Sequence, residues 1–500
     1  MMVTISNALL ALGLAIAAAQ KPAQGPPVPP EPPQAPAAAQ GTRVGKVVGM
    51  LYPDMELPTV GRDRTVRLSS LRGKPTLVVE FAAGCEGSRR YLEGWHEPSE
   101  ALRKEGKLQI VGIAQEQHPE RAALYAQWKG WRWTILWDPL DVAVAFITPH
   151  VYLLDAHGIV RAVDPDPKRL AELLANDYPK PSDLPEPQVA LTPALLEEDP
   201  EDSEESTARE EHLRAYAKLL WGKPEDIDAA IDVLAADAEK GQVKPAQLFR
   251  LGVAYRMRCD SPRARAGDFQ AALDAWTAAV RGEPNVQVWR RRLLQYGPRE
   301  GKPFTFYDWV PQAQEAIRAR GEQPIALSVA PSGAEAATGT SHFEVLDAQA
   351  KEPDPDGKVE RDDAELVSLD IAVTFKPPHT RVLRPDHSAR LHIALTPSAE
   401  RGARWCDSGR PLEIWLQLPE GWRADRRLLT VASDDPPSPS GARWVDVEIS
   451  PPQAIATSQS GGRGVLAAYA LFEVCTGEDS EPVRRRVEFE IPVEVPSMYQ

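Results

Sequence analysis

The chain has 500 residues, which is too long for one hydrophobic core and predicts three or four domains. Its formal net charge of -15 argues against a nucleic-acid surface, because a phosphate backbone is bound by a basic face. Four cysteines exclude a disulfide-framework protein, so proteins or small molecules are the expected partners.

The N-terminus predicts export. The apolar run from Ala8 to Ala19 has the length of a signal-peptide core, and small residues suit cleavage at its end. We therefore interpret residues 1–19 as a signal peptide that leaves no membrane span after cleavage, with an uncleaved anchor or an unrelated N-terminal run as the alternatives. The Pro/Ala-rich residues 20–44 predict an extended tether.

Residues 45–178 predict an α/β domain. Buried strands are predicted at 75–81, 108–114 and 133–137, and a hairpin at 150–163. Helical stretches alternate with them after Gly87, at 119–128 and at 168–176. This alternation indicates a small central sheet.

An acidic, Pro-rich segment, residues 179–207, predicts a solvated linker. From 208 to 321 the apolar spacing is helical throughout. Part of this region resembles one tetratricopeptide-type (TPR) unit through Leu248, Leu251, Gly252 and Tyr255 in a first helix and Ala272, Trp276, Ala279 and Pro284 in a second. One unit cannot bury its own faces, so flanking helices are expected near 208–222, 224–240, 286–296 and 308–320. Such helices are expected to bind a protein partner.

The last part of the chain predicts a β-sandwich. Residues 322–365 are interpreted as a loosely ordered connector, and residues 366–500 contain β-rich runs separated by turn residues. The fold class is therefore multidomain, with an α/β domain, a TPR-like helical region and a C-terminal sandwich.

Three blocks in residues 48–175 occur in the order found in one redox family: Pro53 to Leu57, Val66 to Pro75, and the strand that ends in Phe81-Ala82-Ala83-Gly84-Cys85. The order continues with Thr148-Pro149 and with Tyr152 to Val160. This part resembles the thioredoxin-like reductases of the TlpA and ResA type, within the redoxin group that includes peroxiredoxins. The resemblance implies that Cys85 is a nucleophile at a helix N-terminus, where free N–H groups and the helix dipole stabilise a thiolate. It also implies that Pro149 is a cis-proline and that the Thr148 backbone pairs with an extended substrate, although a cis-proline can equally be a structural turn.

The sequence departs from that family at the second cysteine. The usual Trp-Cys-x-x-Cys is Gly84-Cys85-Glu86-Gly87-Ser88, so Ser88 stands where the resolving thiol would be and Glu86 adds a charge that disfavours the thiolate. A dithiol cycle is therefore not expected. A single thiol can still attack a disulfide, and an outside thiol or the client's second thiol must then resolve the adduct.

Glu80 is a second candidate. In the resemblance it takes the place of the buried carboxylate that exchanges protons beneath the cysteine; the alternative is an exposed, inert side chain at the strand edge. A peroxidase would need a Pro and a Thr where Val78 and Ala82 stand, which makes thiol peroxidase activity the weakest of the three functions considered.

The C-terminal part has a weaker resemblance. Ala468 to Cys475, with Arg484 to Val495, is similar to the end of the immunoglobulin-like periplasmic domain of DsbD, but the second cysteine of that domain is absent. Cys406 and Cys475 could form a disulfide between the faces of a sandwich or remain as two buried thiols.

Two main hypotheses follow. The first is an exported, periplasmic or extracellular thiol-disulfide oxidoreductase or isomerase with Cys85 as its single nucleophile and client thiols or disulfides as partners. The second is a redox-inactive scaffold of the cell envelope. The sequence predicts no cofactor and no metal site, since the nine histidines are scattered.

Overall fold

The computed structural model describes most of the chain after the predicted tether. The described residues are 42–197, 207–239, 243–299, 302, 304–331, 333–336, 343–375, 388–406, 409–433, 435, 437–438, 440–452, 462–477 and 480–495. The predicted signal peptide and almost all of the predicted tether lie outside them. Within these ranges, no helix combines the length and the apolar character needed to cross a membrane.

The predicted α/β domain contains a five-stranded mixed sheet, which we call the central sheet. A two-stranded ribbon precedes it, formed by β1 (Glu56–Pro58) and β2 (Thr65–Arg67). The sheet strands are β3 (Thr76–Phe81), β4 (Gln109–Ala114), β5 (Thr134–Trp137), β6 (His150–Leu154) and β7 (Val160–Val163). Their order is β5-β4-β3-β6-β7, with β3, β4 and β5 parallel and β6 and β7 antiparallel. The predicted strands are confirmed.

Three helices belong to this α/β region: α1 (Glu86–Lys104), α2 (Pro119–Lys129) and α3 (Leu170–Leu174). Proline opens α2, and Gly130 ends it with a φ of 68°, a left-handed conformation that glycine adopts without strain. The alternation of strand side chains sends Leu77, Val79 and Phe81 into the core formed with α1 and α2. Val78 and Glu80 consequently point to the opposite face of the sheet.

The helical region contains six helices in the described part of the chain. They are α4 (Ala208–Trp221), α5 (Asp226–Glu239), α6 (Pro245–Cys259), α7 (Asp268–Gly282), α8 (Gln287–Leu294) and α9 (Val310–Ala319). The predicted helices are therefore confirmed. In the predicted repeat unit, a Cβ at Gly252 would lie 2.5 Å from the Trp276 ring, so glycine allows α6 and α7 to approach closely. The assignment of this pair as a TPR unit remains a prediction.

The helical region continues the core of the α/β region. Val78 and Tyr152 of the sheet belong to the same hydrophobic cluster as Ala217 and Trp276 of the helices. Leu191, within the segment predicted as a solvated linker, is buried in this cluster, and Arg67 donates to the Pro187 carbonyl over 2.9 Å. The described part of that segment is thus bound to the protein surface, and residues 198–206 lie outside the described residues.

The C-terminal β region has two antiparallel sheets. The first contains β8 (Val367–Phe375), β9 (Ala389–Pro397), β12 (Arg423–Ala424) and β14 (Arg443–Ser450), in the order β12-β14-β9-β8. The second contains β10 (Ala403–Trp405), β11 (Leu412–Gln417), β13 (Leu428–Val431), β15 (Gly462–Thr476) and β16 (Val483–Val495), with β16 paired to β15. Both sheets contribute to one core, for example through Leu391 and Ile414. An immunoglobulin-like topology remains a prediction.

The segment predicted as a loosely ordered connector is held at two points. In the short helix α10 (Gly333–Ala336), Glu335 accepts a hydrogen bond of 3.1 Å from Arg121 of α2. Further along, Asp354 pairs with Arg486 of β16 at 2.9 Å. Both pairs are buried, so the described part of this connector is anchored to its neighbours, which corrects the prediction.

Candidate active site

Cys85 lies between the central strand β3 and helix α1. Its backbone is extended, and it is the N-cap of α1, with its Sγ accepting a hydrogen bond of 3.4 Å from the Ser88 N–H. One of the helix's unpaired N–H groups therefore points at the sulfur, an arrangement that favours a thiolate. The Cys85 side chain is nevertheless buried, with 3% of its surface exposed.

Ser88 lies in the first turn of α1, where the second cysteine of a dithiol motif would lie. It is fully buried, and its Oγ has no hydrogen-bond partner among the described residues. The chain therefore places a hydroxyl group, which cannot form a disulfide, next to Cys85 in the same turn.

Two charged side chains flank the thiol. Glu86, expected to disfavour the thiolate, forms an ion pair of 2.5 Å with Arg90 one turn later, and this pair offsets part of its charge. Arg89 is more buried and donates to the Ala83 carbonyl over 2.7 Å. Burial lowers the pKa of Arg89, whereas Asp308, Tyr125 and Cys85 act in the opposite direction. A guanidinium group consequently lies within electrostatic reach of the sulfur.

Glu80 is buried, which decides against the exposed alternative. It accepts a hydrogen bond of 2.6 Å from the Tyr52 hydroxyl and forms an ion pair with Lys46. Because Glu80 and Val78 share the sheet face opposite to α1, its carboxylate faces away from the helix that carries Cys85. The described contacts of Glu80 do not include Cys85, and its role as proton acceptor stays a prediction.

The Thr148–Pro149 peptide is cis, as the resemblance implied. The loop before it is held by two carboxylates: Asp138 accepts from the Val142 and Ala143 N–H groups, and Asp141 accepts from the Ala145 N–H. The Thr148 N–H, predicted to pair with a substrate, instead donates to the side-chain oxygen of Gln287 over 3.2 Å. The predicted substrate platform is thus occupied by the start of α8.

The sequence analysis missed a buried glutamate beside Cys85. Glu116 follows β4 and accepts hydrogen bonds from the Gly84 N–H at 3.1 Å and from the Tyr307 hydroxyl at 2.5 Å. The signal was present: four polar residues, Gln115 to His118, directly follow a buried strand that neighbours the cysteine strand. Polar side chains at the carboxyl ends of adjacent parallel strands converge on one edge of the sheet.

Residues of the helical region complete the surroundings of Cys85. Arg291 donates to the Gly84 carbonyl over 3.3 Å, and Arg89 donates to the Phe306 carbonyl over 2.8 Å. The cavity that remains beside Gly84, Thr148 and Tyr307 has a volume of about 20 Å³. That volume holds about one water molecule, so no client fits in this arrangement.

Cys406 and Cys475 form a disulfide with a Cα–Cα distance of 5.6 Å. The predicted bond is present, but its geometry differs from the expected link between sandwich faces. Cys475 lies on β15 opposite Arg404 of β10, so the bond joins neighbouring strands of one sheet. The remaining cysteines, Cys85 and Cys259, are both free and buried.

Metal chemistry finds no assembled site in the described part of the chain, where no group of three or more His, Cys, Asp or Glu side chains could hold an ion. Cofactor binding is not tested by this arrangement.

No family model and no curated protein matches the chain. The solved structures that resemble it are thioredoxin-like thiol-disulfide oxidoreductases, and they cover about a quarter of its length. The thioredoxin domain of a thiol-disulfide oxidoreductase from Bacteroides vulgatus is 21% identical, with 26% of this chain and 99% of that chain covered and a TM-score of 0.24.

Two further structures give similar values. A putative thiol:disulfide interchange protein DsbE from Chlorobium tepidum is 17% identical, with 27% of this chain and 96% of that chain covered and a TM-score of 0.23. A secreted thiol-disulfide isomerase from Corynebacterium glutamicum is 16% identical, with 25% and 86% covered and a TM-score of 0.24. All three TM-scores are below 0.5, so the activities in these names remain properties of those proteins.

Proposed function

We propose that this chain is a single-cysteine thiol-disulfide oxidoreductase in which Cys85 is the nucleophile. The observation that carries the proposal is the position of Cys85: its sulfur caps α1, accepts the Ser88 N–H and lies near the Arg89 guanidinium. Thiolate, and not thiol, is the attacking species, and each of these features stabilises negative charge on sulfur.

The proposed reaction has two exchange steps. The Cys85 thiolate attacks one sulfur of a client disulfide, forming a mixed disulfide and releasing the client's other sulfur as a thiolate. That released thiolate, or an outside thiol, then attacks the mixed disulfide and regenerates the Cys85 thiolate. Ser88 cannot carry out the second step, because its hydroxyl group forms no disulfide. The first route isomerises the client, and the second needs an external thiol reductant.

We place this activity outside the reducing cytosol, in the periplasm or the extracellular space. The Cys406–Cys475 bond supports this location, because structural disulfides persist in oxidising compartments. The apolar run at 8–19, interpreted as a signal peptide, points in the same direction.

Mixed-disulfide formation tests the proposal. The full chain is incubated with oxidised glutathione, and the glutathione adduct on each free cysteine is quantified by mass spectrometry. We expect the adduct on Cys85, its loss in Cys85→Ala and its persistence in the matched control Cys259→Ala, since Cys259 is the other buried free thiol. Burial raises the pKa of Cys259, so that thiol is not expected to react. An adduct that persists unchanged in Cys85→Ala would contradict the proposal.

A second candidate is the redox-inactive scaffold, in which the helices bind a protein partner. The observation that favours it is the small cavity of about 20 Å³ beside Cys85, together with the occupied Thr148 N–H. The two candidates differ in one measurement: a scaffold forms no glutathione adduct on Cys85 even when the surrounding contacts are removed by mutation.

A further inference from the structure

The strongest unexplained feature is the way in which α8 meets the cis-proline loop. The Gln287 N–H donates to the Phe146 carbonyl over 2.8 Å, and the Gln287 side-chain oxygen accepts from the Thr148 N–H over 3.2 Å. Phe146 and Thr148 flank Ile147, and both of their bonding groups are satisfied by one residue. A strand added in parallel would form the same pair of bonds around Ile147.

Gln287 can imitate a strand residue because of its place in the chain. It is the first residue of α8, so its own N–H has no partner within the helix, while its main-chain carbonyl is directed along the helix. The side-chain amide supplies the missing carbonyl. One residue at a helix start thereby presents the donor and the acceptor of an extended peptide.

Other residues extend this contact to both sides of Cys85. Arg291, one turn after Gln287, bonds the Gly84 carbonyl, and Tyr307 lies against Gly84. The Phe306 carbonyl accepts from Arg89, which follows Cys85 by four residues. We call α8 together with residues 304–307 the cover.

We propose that the cover is an intramolecular substitute for the client, which keeps Cys85 latent until an extended polypeptide replaces Gln287 on the cis-proline loop. This inference rests on the proposed function and adds its regulation and its substrate class. A small oxidant cannot displace the cover, because it offers no backbone donor and acceptor at the right spacing. An extended polypeptide does, and Phe146 and Ile147, which are 56% and 39% exposed, lie beside the paired groups to contact its side chains.

The proposal predicts that the cover opens locally while the rest of the fold stays closed. The test is the rate at which iodoacetamide alkylates Cys85 in the folded full chain, measured by mass spectrometry. Cys259 is the internal control, since it is a free thiol buried in the helical core and is alkylated only when that core opens.

The test variant is Gln287→Ala combined with Arg291→Ala, which removes the polar contacts of α8 with the loop and with Gly84. We expect Cys85 to be alkylated about tenfold faster than in the wild type, with no change at Cys259. The matched control is Arg290→Ala, an exposed arginine on the same helix, which should leave both rates unchanged.

A second variant opens the cover without removing a polar group. A Cβ at residue 84 would lie 2.7 Å from the Tyr307 hydroxyl oxygen, so Gly84→Ala displaces Tyr307. It should also accelerate alkylation of Cys85 alone. Equal rates at Cys85 in the wild type and both variants overturn the cover, and so does a parallel rise at Cys85 and Cys259, which indicates global opening.

Alkylation measures access to the sulfur and does not require disulfide exchange. If Cys85 of the opened variants is alkylated quickly but forms no glutathione adduct, the cover is supported and the proposed function fails. If the adduct forms at the same rate with and without the cover, the proposed function is supported and the cover is wrong.

Discussion

The helical region has two interfaces that use different chemistry. Next to Cys85, it contacts the α/β region mainly through pairs in which at least one group is uncharged, such as Gln287 with Thr148 and Tyr307 with Glu116. The exception is Arg89 with Asp308, at 3.6 Å. Towards the β region, Arg299 donates to Asp425 over 2.7 Å and also contacts Glu448, which Arg390 pairs from the other side.

This difference separates a replaceable contact from a fixed one. A client backbone can take over a hydrogen bond to Thr148 at little net cost, because one bond replaces another. A buried carboxylate that loses its arginine is left without compensation, and that loss is expensive. The helical region therefore has a firm attachment to the β region and an exchangeable one over Cys85.

The largest expected effect concerns the β region itself. Replacing Cys406 and Cys475 together by alanine removes a bond that spans 69 residues, which should lower the free energy of unfolding of the β region by about 4 kcal/mol. Denaturant unfolding followed by tryptophan fluorescence measures this loss. Cys259→Ala is the control for loss of a buried sulfur that is not bonded, and an equal effect from it would contradict the expectation.

Next in size is the attachment between the helical and β regions. Arg299→Met leaves Asp425 buried without its arginine and should cost about 3 kcal/mol of stability. The measurement is the same denaturant titration, with Arg290→Met as the exposed control. If Arg299→Met were no more destabilising than loss of a contact over Cys85, the two interfaces would not differ as described.

A pH dependence sharpens the comparison on the Cys85 side. Burial, reinforced by Asp138 and opposed by the Ala145 N–H, Trp289 and Arg250, raises the pKa of Asp141 to about 7. Asp141 therefore keeps its proton in the folded state at pH values at which the unfolded chain has lost it, so its contribution to stability falls as pH rises towards 7. Between pH 5 and pH 8 the loss should be about 2 kcal/mol.

The check is the difference in unfolding free energy between the wild type and Asp141→Asn, measured across this pH range. The wild type should lose stability relative to the variant as pH rises. A constant difference would show that Asp141 does not titrate between the cis-proline loop and α8.

The smallest effect concerns a single hydroxyl. Tyr307→Phe removes one hydrogen bond to Glu116 and should cost about 1 kcal/mol. Tyr296→Phe is the matched control, since the Tyr296 hydroxyl is buried without a hydrogen-bond partner among the described residues and its removal should cost nothing. The two melting temperatures decide, and equal values would remove Glu116 from the polar contacts over Cys85.

The sequence predicted local structure well, because local structure depends on nearby residues. The strand before Cys85, the helix after it and the helices near 208–222 and 224–240 all follow from apolar spacing. The contacts over Cys85 could not be predicted, because Gln287 lies 139 residues from Thr148 and neither residue has a pattern that requires the other. Glu116 was within reach, since a run of polar residues after a buried strand is a recognisable signal.

The glycine before Cys85 has a consequence for any attempt to restore dithiol chemistry. In the family that the α/β region resembles, tryptophan occupies this position, whereas here even a methyl group would overlap Tyr307. Exchanging Ser88 for cysteine alone would leave the shielding intact, and adding the indole would expel it. The residue that a protein engineer would replace first is therefore also the one that decides whether the molecule can be silent at rest.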